Sequence, residues 1–127
     1  LEVILDTSFL LELVSKPIKR LDELGVELGK VEFIVLEPTV TELKRLASKQ
    51  GVKAKRAYTA LQYIKNNIRV RVINLDKKGL SADSAILYYA LKYSAAVATI
   101  DQELRDRLKE EGVVVITLRD DNVWVDR

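Results

Sequence analysis

The chain has 127 residues, 48% of them apolar, with 21 basic and 19 acidic side chains, a net charge of +2, and neither Cys nor His. The length suits one domain, residues 1–127, with a core that stands without disulfides or a structural metal. The two missing residue types exclude a thiolate–imidazole zinc site, a Cys–His or Ser–His–Asp nucleophile and any disulfide framework. Acid, base or metal chemistry must therefore rest on carboxylates, cations and hydroxyls.

In chain order, a first strand is predicted over residues 3–5. Leu10, Leu11 and Val14 begin a helix that Pro17 breaks or restarts. A second strand over 31–36 leads to helices over 39–49 and 53–67, separated by Gly51. The third strand, 70–75, precedes a helix over 81–93 with Ser81 as N-cap. The fourth strand, 96–100, precedes a helix over 102–111, stopped by Gly112 at the C′ position. A fifth strand covers 113–118, and residues 123–125 add a short edge strand whose Trp124 covers the end of the sheet. Most of these strands are nearly continuous in Val, Ile and Leu, as expected where both faces of a parallel sheet are buried. Alternation of strand and helix along the whole chain predicts an α/β fold. It is a three-layer α/β/α sandwich around a mainly parallel central sheet of about five strands.

Ligands of an open parallel sheet bind beyond the carboxyl ends of its strands. Asp6 directly follows the first predicted strand and Asp101 the fourth. Asp83 lies in the first turn of the helix opened by Ser81, and Glu42 near the start of the helix after the second strand. One such acid is ordinarily a helix cap or a partner of the helix dipole. Four junctions in succession point further, because carboxylates held together repel one another unless a cation sits among them. One or two Mg2+ or Mn2+ ions, which take oxygen ligands, meet that need without histidine. Such ions activate water and stabilise charge on a phosphodiester undergoing in-line displacement.

The strings around these acids are Val3-Ile4-Leu5-Asp6-Thr7-Ser8-Phe9-Leu10, Thr39-Val40-Thr41-Glu42-Leu43, Ser81-Ala82-Asp83-Ser84-Ala85-Ile86-Leu87 and Ala98-Thr99-Ile100-Asp101-Gln102-Glu103-Leu104. In this order and spacing they resemble the four motifs of the PIN-domain family, small Rossmann-like α/β nucleases of the FEN-like class. The stretch onward through Arg105 and Leu108 to Val115-Ile116 looks closest to archaeal PIN proteins similar to the eukaryotic rRNA-processing endonucleases. The resemblance implies a divalent-metal-dependent endoribonuclease, with Asp6, Glu42, Asp83 and Asp101 as catalytic metal ligands, directly or through water. Ser8 and Thr99 would orient the neighbouring carboxylates. Glu37 is nearer the end of its strand than Glu42, but the family match favours Glu42. Asp76, Asp106, Asp120 and Asp121 are weaker candidates, the last two read as a solvated turn. Two other readings stay open: a non-cleaving RNA-binding module of ribosome assembly, and a toxin-type ribonuclease held by an antitoxin protein.

Lys44, Arg45, Lys49, Lys53, Lys55 and Arg56 form a block of six cations without an acid. They are candidate RNA-phosphate contacts beside Glu42, or else a solvated helix face. Tyr88, Tyr89 and Tyr93 share a helix that is apolar nearly all round, which suits core packing or a homodimer face better than base stacking. The glycines at 25, 29, 51, 79 and 112 make neither a P-loop nor a dinucleotide fingerprint. A phosphoryl-acceptor role for Asp6 would need an acid two residues on or a Lys after a late strand, where Ser8 and Arg119 stand instead. Few Asn and Gln beside many Lys and Glu hint at a thermophile. No apolar run approaches the ~20 residues of a membrane span and no signal peptide is read before the first strand, so the expectation is a cytoplasmic protein with no membrane partner.

Overall fold

The computed structural model describes residues 1–16, 29–120 and 122–126. Six strands are described: β1 (Glu2–Leu5), β2 (Glu32–Leu36), β3 (Val70–Ile73), β4 (Ala96–Ala98), β5 (Val115–Arg119) and β6 (Asn122–Asp126). The described helices are α1 (Thr7–Ser15), α2 (Glu37–Ala47), α3 (Val52–Asn66), α4 (Ala82–Tyr93) and α5 (Gln102–Glu110). The strands form one sheet in the order β3-β2-β1-β4-β5-β6, parallel except for the β5–β6 pair. The α/β architecture and mainly parallel sheet are those expected, and the short edge strand is a full sixth strand. None of the described helices is long and apolar enough to cross a membrane.

Side chains alternate across a strand, and the apolar runs therefore feed two cores. Val3 and Leu5 of β1 join Val35, Phe9, Leu10 and Leu43 on one face. Ile4 joins Ile34, Leu36, Ile86 and Leu104 on the other. β1 is fully enclosed because it pairs with β2 on one side and β4 on the other. The residue that follows it is thus delivered to the middle of the sheet edge.

Several boundaries differ from the apolar pattern, each for a local reason. α1 starts at Thr7, ahead of its first buried residue, because Asp6 caps it. α2 starts at Glu37 rather than at residue 39, since Pro38 occupies the first turn, where its fixed φ and missing N–H cost nothing. β4 ends at Ala98, leaving Thr99 and Ile100 in the turn before Asp101. α5 closes as expected at Gly112, whose φ of 77° accompanies bonds from the N–H of Gly112 to Lys109 O and from that of Val113 to Leu108 O. That pair of bonds is a Schellman ending. Pro17, Gly25 and Asp121 lie outside the described residues.

Tyr89 packs in the core and donates its hydroxyl to Glu2 Oε1 at 2.8 Å, whereas Tyr93 is half exposed against its ring. Burial, reinforced by the Glu2 carboxylate, pushes the Tyr89 phenol up to about 12.

Candidate active site

The sheet order reverses at β1: β2 and β3 extend to one side, β4 to β6 to the other. β1 and β4, neighbours at that reversal, mark the switch point of the sheet, where open α/β folds take their ligands beyond the carboxyl ends of the strands. Asp6 follows β1 and Asp101 follows β4, so both acids stand at that point.

Asp6 is held from three directions and is only 4% exposed. Its Oδ1 accepts the Phe9 N–H at 2.8 Å, which caps α1. The Ser8 hydroxyl lies 2.8 Å from Oδ1 and 3.1 Å from Oδ2, and the Thr99 hydroxyl donates to Oδ2 at 2.5 Å. These hydroxyls in turn accept backbone protons, Ser8 from Ile100 at 3.2 Å and Thr99 from Asp101 at 3.0 Å. The network fastens the β1–α1 turn to the β4–α5 turn. Burial nevertheless raises the Asp6 carboxyl to about 6, against the three hydrogen bonds that favour its charged form. The negative charge of Asp83 adds to the rise.

Asp101 is the N-cap of α5, accepting the Leu104 N–H at 2.9 Å through Oδ1. Asp83 sits in the first turn of α4, after Ser81, whose hydroxyl accepts the Ser84 N–H. Asp83 is exposed, yet partial loss of water around its carboxyl raises it first, then the charges of Asp101 and Glu42, with Arg107 opposing. Four acids from four elements therefore share one electrostatic neighbourhood. The cluster is open: among the described residues no three acids are close enough to hold one ion together. In kind the donors fit a hard divalent cation, being carboxylate and hydroxyl oxygens throughout.

The remaining candidates separate by location. Glu37 is exposed and, with Glu42, Arg45, Lys77 and Lys78, lines a groove between the start of α2 and the β3–α4 turn. Lys49 and Lys55 line a different groove, with Tyr58, at the far end of α2. The basic block is thus divided between two grooves rather than gathered in one beside the acids. Lys44, Lys53 and Arg56 are exposed along α2 and α3. Asp76 is engaged elsewhere, accepting from Lys92 Nζ at 2.7 Å and from the Tyr88 hydroxyl at 3.1 Å, and these bonds hold its carboxyl below the usual range. Asp106 is exposed and accepts from Gln102 Nε2. Asp120, at φ 52°, lies at the exposed end of β5. Lys77 and Lys78 escaped the sequence reading. Their only signal was a dibasic pair shortly before Ser81.

The family described as PIN like domain matches residues 3–121. Ribonuclease VapC4 of Methanocaldococcus jannaschii is 33% identical over 123 residues, covering 93% of this chain and 90% of that protein. In three dimensions the chain is similar to the PIN domain endonuclease Utp24, with a TM-score of 0.80 and 24% identity over 99% of this chain and 91% of that one. A domain of a functionally unknown protein from Methanocaldococcus jannaschii is similar at a TM-score of 0.65, with 19% identity over 93% and 91% of the two chains. The structural likenesses bear on the fold.

Proposed function

The chain belongs to the PIN-like domain family, and from that membership we propose that it is a divalent-metal-dependent endoribonuclease hydrolysing RNA phosphodiester bonds. The observation that carries this reading is the placement of Asp6 after β1, Asp101 after β4, Asp83 in the first turn of α4 and Glu42 on α2, with Asp83 in electrostatic reach of the other three. The kinship with a protein named a ribonuclease supports RNA as the substrate.

Asp6, Glu42, Asp83 and Asp101 would hold Mg2+ or Mn2+. Bound there, the metal supplies water activation and charge stabilisation at the phosphorus. Asp6 acts as the fixed anchor, since Ser8, Thr99 and the Phe9 N–H set its carboxylate plane. Glu42 is half-buried and Asp83 exposed, so both have room to turn inward. Asp101 keeps one oxygen on its helix and leaves Oδ2 for other work. A carboxyl raised to about 6 in Asp6 would make metal loading weaken as pH falls through about 6, because the ligand must be deprotonated.

A second reading, a toxin-type ribonuclease kept silent by an antitoxin protein, draws support from the VapC4 relationship. Residues 1–127 would act as one domain in either case. The test is cleavage of structured and single-stranded RNA with Mn2+, comparing wild type with the double variant Asp6→Asn, Asp101→Asn. Wild type is expected to cleave and the variant to lose cleavage. Equal cleavage by both would sink the metal-nuclease reading, and no cleavage by either would favour a binding module.

A further inference from the structure

A groove of about 390 Å³ opens beside Glu42, between the start of α2 and the turn from β3 to α4. Its size falls in the range of small-ligand sites, roughly 300–1,000 Å³. Pro38, Leu75 and Leu80 supply apolar wall, while Arg45, Lys77 and Lys78 supply three cations. Glu42, one of the four acids, and Ala82, directly before Asp83, also line it, so the groove borders the carboxylate cluster.

Lys77 is partly occupied, with its Nζ 5.5 Å from the centroid of the Tyr88 ring. Arg45 and Lys78 make no ion pair and no side-chain hydrogen bond among the described residues. Arg45 lies three positions after Glu42 on α2, the spacing that puts both side chains on one helix face. Lys78 comes from a turn that is not free to wander. Two positions before it, Asp76 is tied to α4 by Lys92 and Tyr88. The cations are thus presented from two braced supports, which lowers the ordering cost of binding.

An acid cluster repels a polyanion, and RNA can approach it only if nearby cations offset that field. We propose that this groove seats the nucleotide next to the scissile bond, with Arg45 and Lys78 on its phosphate and Pro38 and Leu80 against its sugar and base. The inference rests on the ribonuclease reading and adds to it where the RNA lies. No aromatic ring lines the groove, so the subsite holds the backbone in position and is indifferent to sequence.

The test is binding of a short fluorescent oligouridylate in EDTA, over a salt series, where cleavage plays no part. The double variant Arg45→Ala, Lys78→Ala is expected to bind about a hundredfold more weakly at low salt, at roughly tenfold per charge-assisted contact. Its salt slope should fall by about 1.4, for two phosphate contacts on a single strand. A charge-matched control, Lys30→Ala, Lys65→Ala, removes two exposed cations away from the groove and should bind as wild type. Arg45→Lys, Lys78→Arg should retain most of the affinity, and unchanged thermal midpoints exclude unfolding as the cause. Equal losses in the groove variant and the control, no loss in the groove variant, or no binding by wild type would each overturn the subsite. Failure of the ribonuclease reading is distinct: cleavage would then be absent or indifferent to Asp6→Asn, Asp101→Asn, while the binding contrast is measured without it.

Discussion

Replacing Asp6 with Asn is expected to make the protein more stable while removing the fixed carboxylate of the proposed site. Burial lifts the Asp6 carboxyl from 3.8 to about 6, a shift of roughly two units, worth about 3 kcal/mol of folding free energy. The folded protein binds the Asp6 proton more tightly than the unfolded chain does. Its contribution is therefore neutral below about pH 4, grows costly as pH rises to about 6, and is fully unfavourable above that. Asn caps a helix about as well as Asp, and its carbonyl can keep the Phe9 and Ser8 bonds. Its amide would then donate to Thr99, whose own proton has Ser8 Oγ within 3.3 Å as a new acceptor. Urea unfolding of both proteins in EDTA across this pH range isolates the effect as a difference. That difference should be near zero at about pH 4 and approach 3 kcal/mol by about pH 7, with an unchanged m-value. The melting midpoint should rise by about 10 °C near neutrality. Added Mn2+ should stabilise wild type alone, since only a ligand that binds the folded state shifts the equilibrium. A flat difference across pH, or an Asn variant less stable at pH 7, would refute the assignment of Asp6 as a buried, strained carboxylate.

Two further substitutions probe the supports of the site and the fold. Thr99→Val removes the hydroxyl that both donates to Asp6 and accepts from Asp101; it should cost about 1–3 kcal/mol near neutral pH and weaken Mn2+ stabilisation, as read by metal-dependent thermal shifts, and unchanged metal response would show that the hydroxyl does not position the anchor. Gly112→Ala places a side chain at φ 77° with nothing within 4 Å of the new Cβ, so the loss of about 1 kcal/mol comes from the backbone alone, and chemical denaturation showing no loss would mean that α5 ends without the Schellman turn.

Much of this arrangement is written locally and was legible from the chain. The Val-Ile-Leu run before Asp6 predicts a strand buried on both faces, and an acid placed directly after it must emerge at the sheet's carboxyl edge. The same holds for Asp101, although the strand stops earlier and Thr99 takes a turn position from which it reaches Asp6. α1 and α2 start ahead of their apolar periodicity, because that pattern records burial, whereas Asp6 and Pro38 begin their helices before anything is buried. What the chain conceals is strand order. Lys77 and Lys78 face Arg45 only because β3 pairs with β2, and no local pattern announces that pairing. The basic block shows the same limit from the other side. Its six residues are neighbours in sequence, yet Arg45 lines the groove beside Glu42 while Lys49 and Lys55 line another.

The open state of the acid cluster accords with the same physics that suggested it. Asp6 can be held rigidly because three donors compensate its charge, and even so its carboxyl is raised by burial. Among the described residues Glu42, Asp83 and Asp101 have no comparable set of donors, so drawing them together without a cation would leave their repulsion uncompensated. Rigid anchor and movable partners are then one consistent solution: the fold invests its hydrogen bonds in the acid that burial penalises most, and leaves the others where water still screens them. The cations of the neighbouring groove belong to that balance. Placed on Arg45 and Lys78 rather than on the acids themselves, they would make the cluster approachable for an anion without neutralising the oxygens that a divalent ion would need.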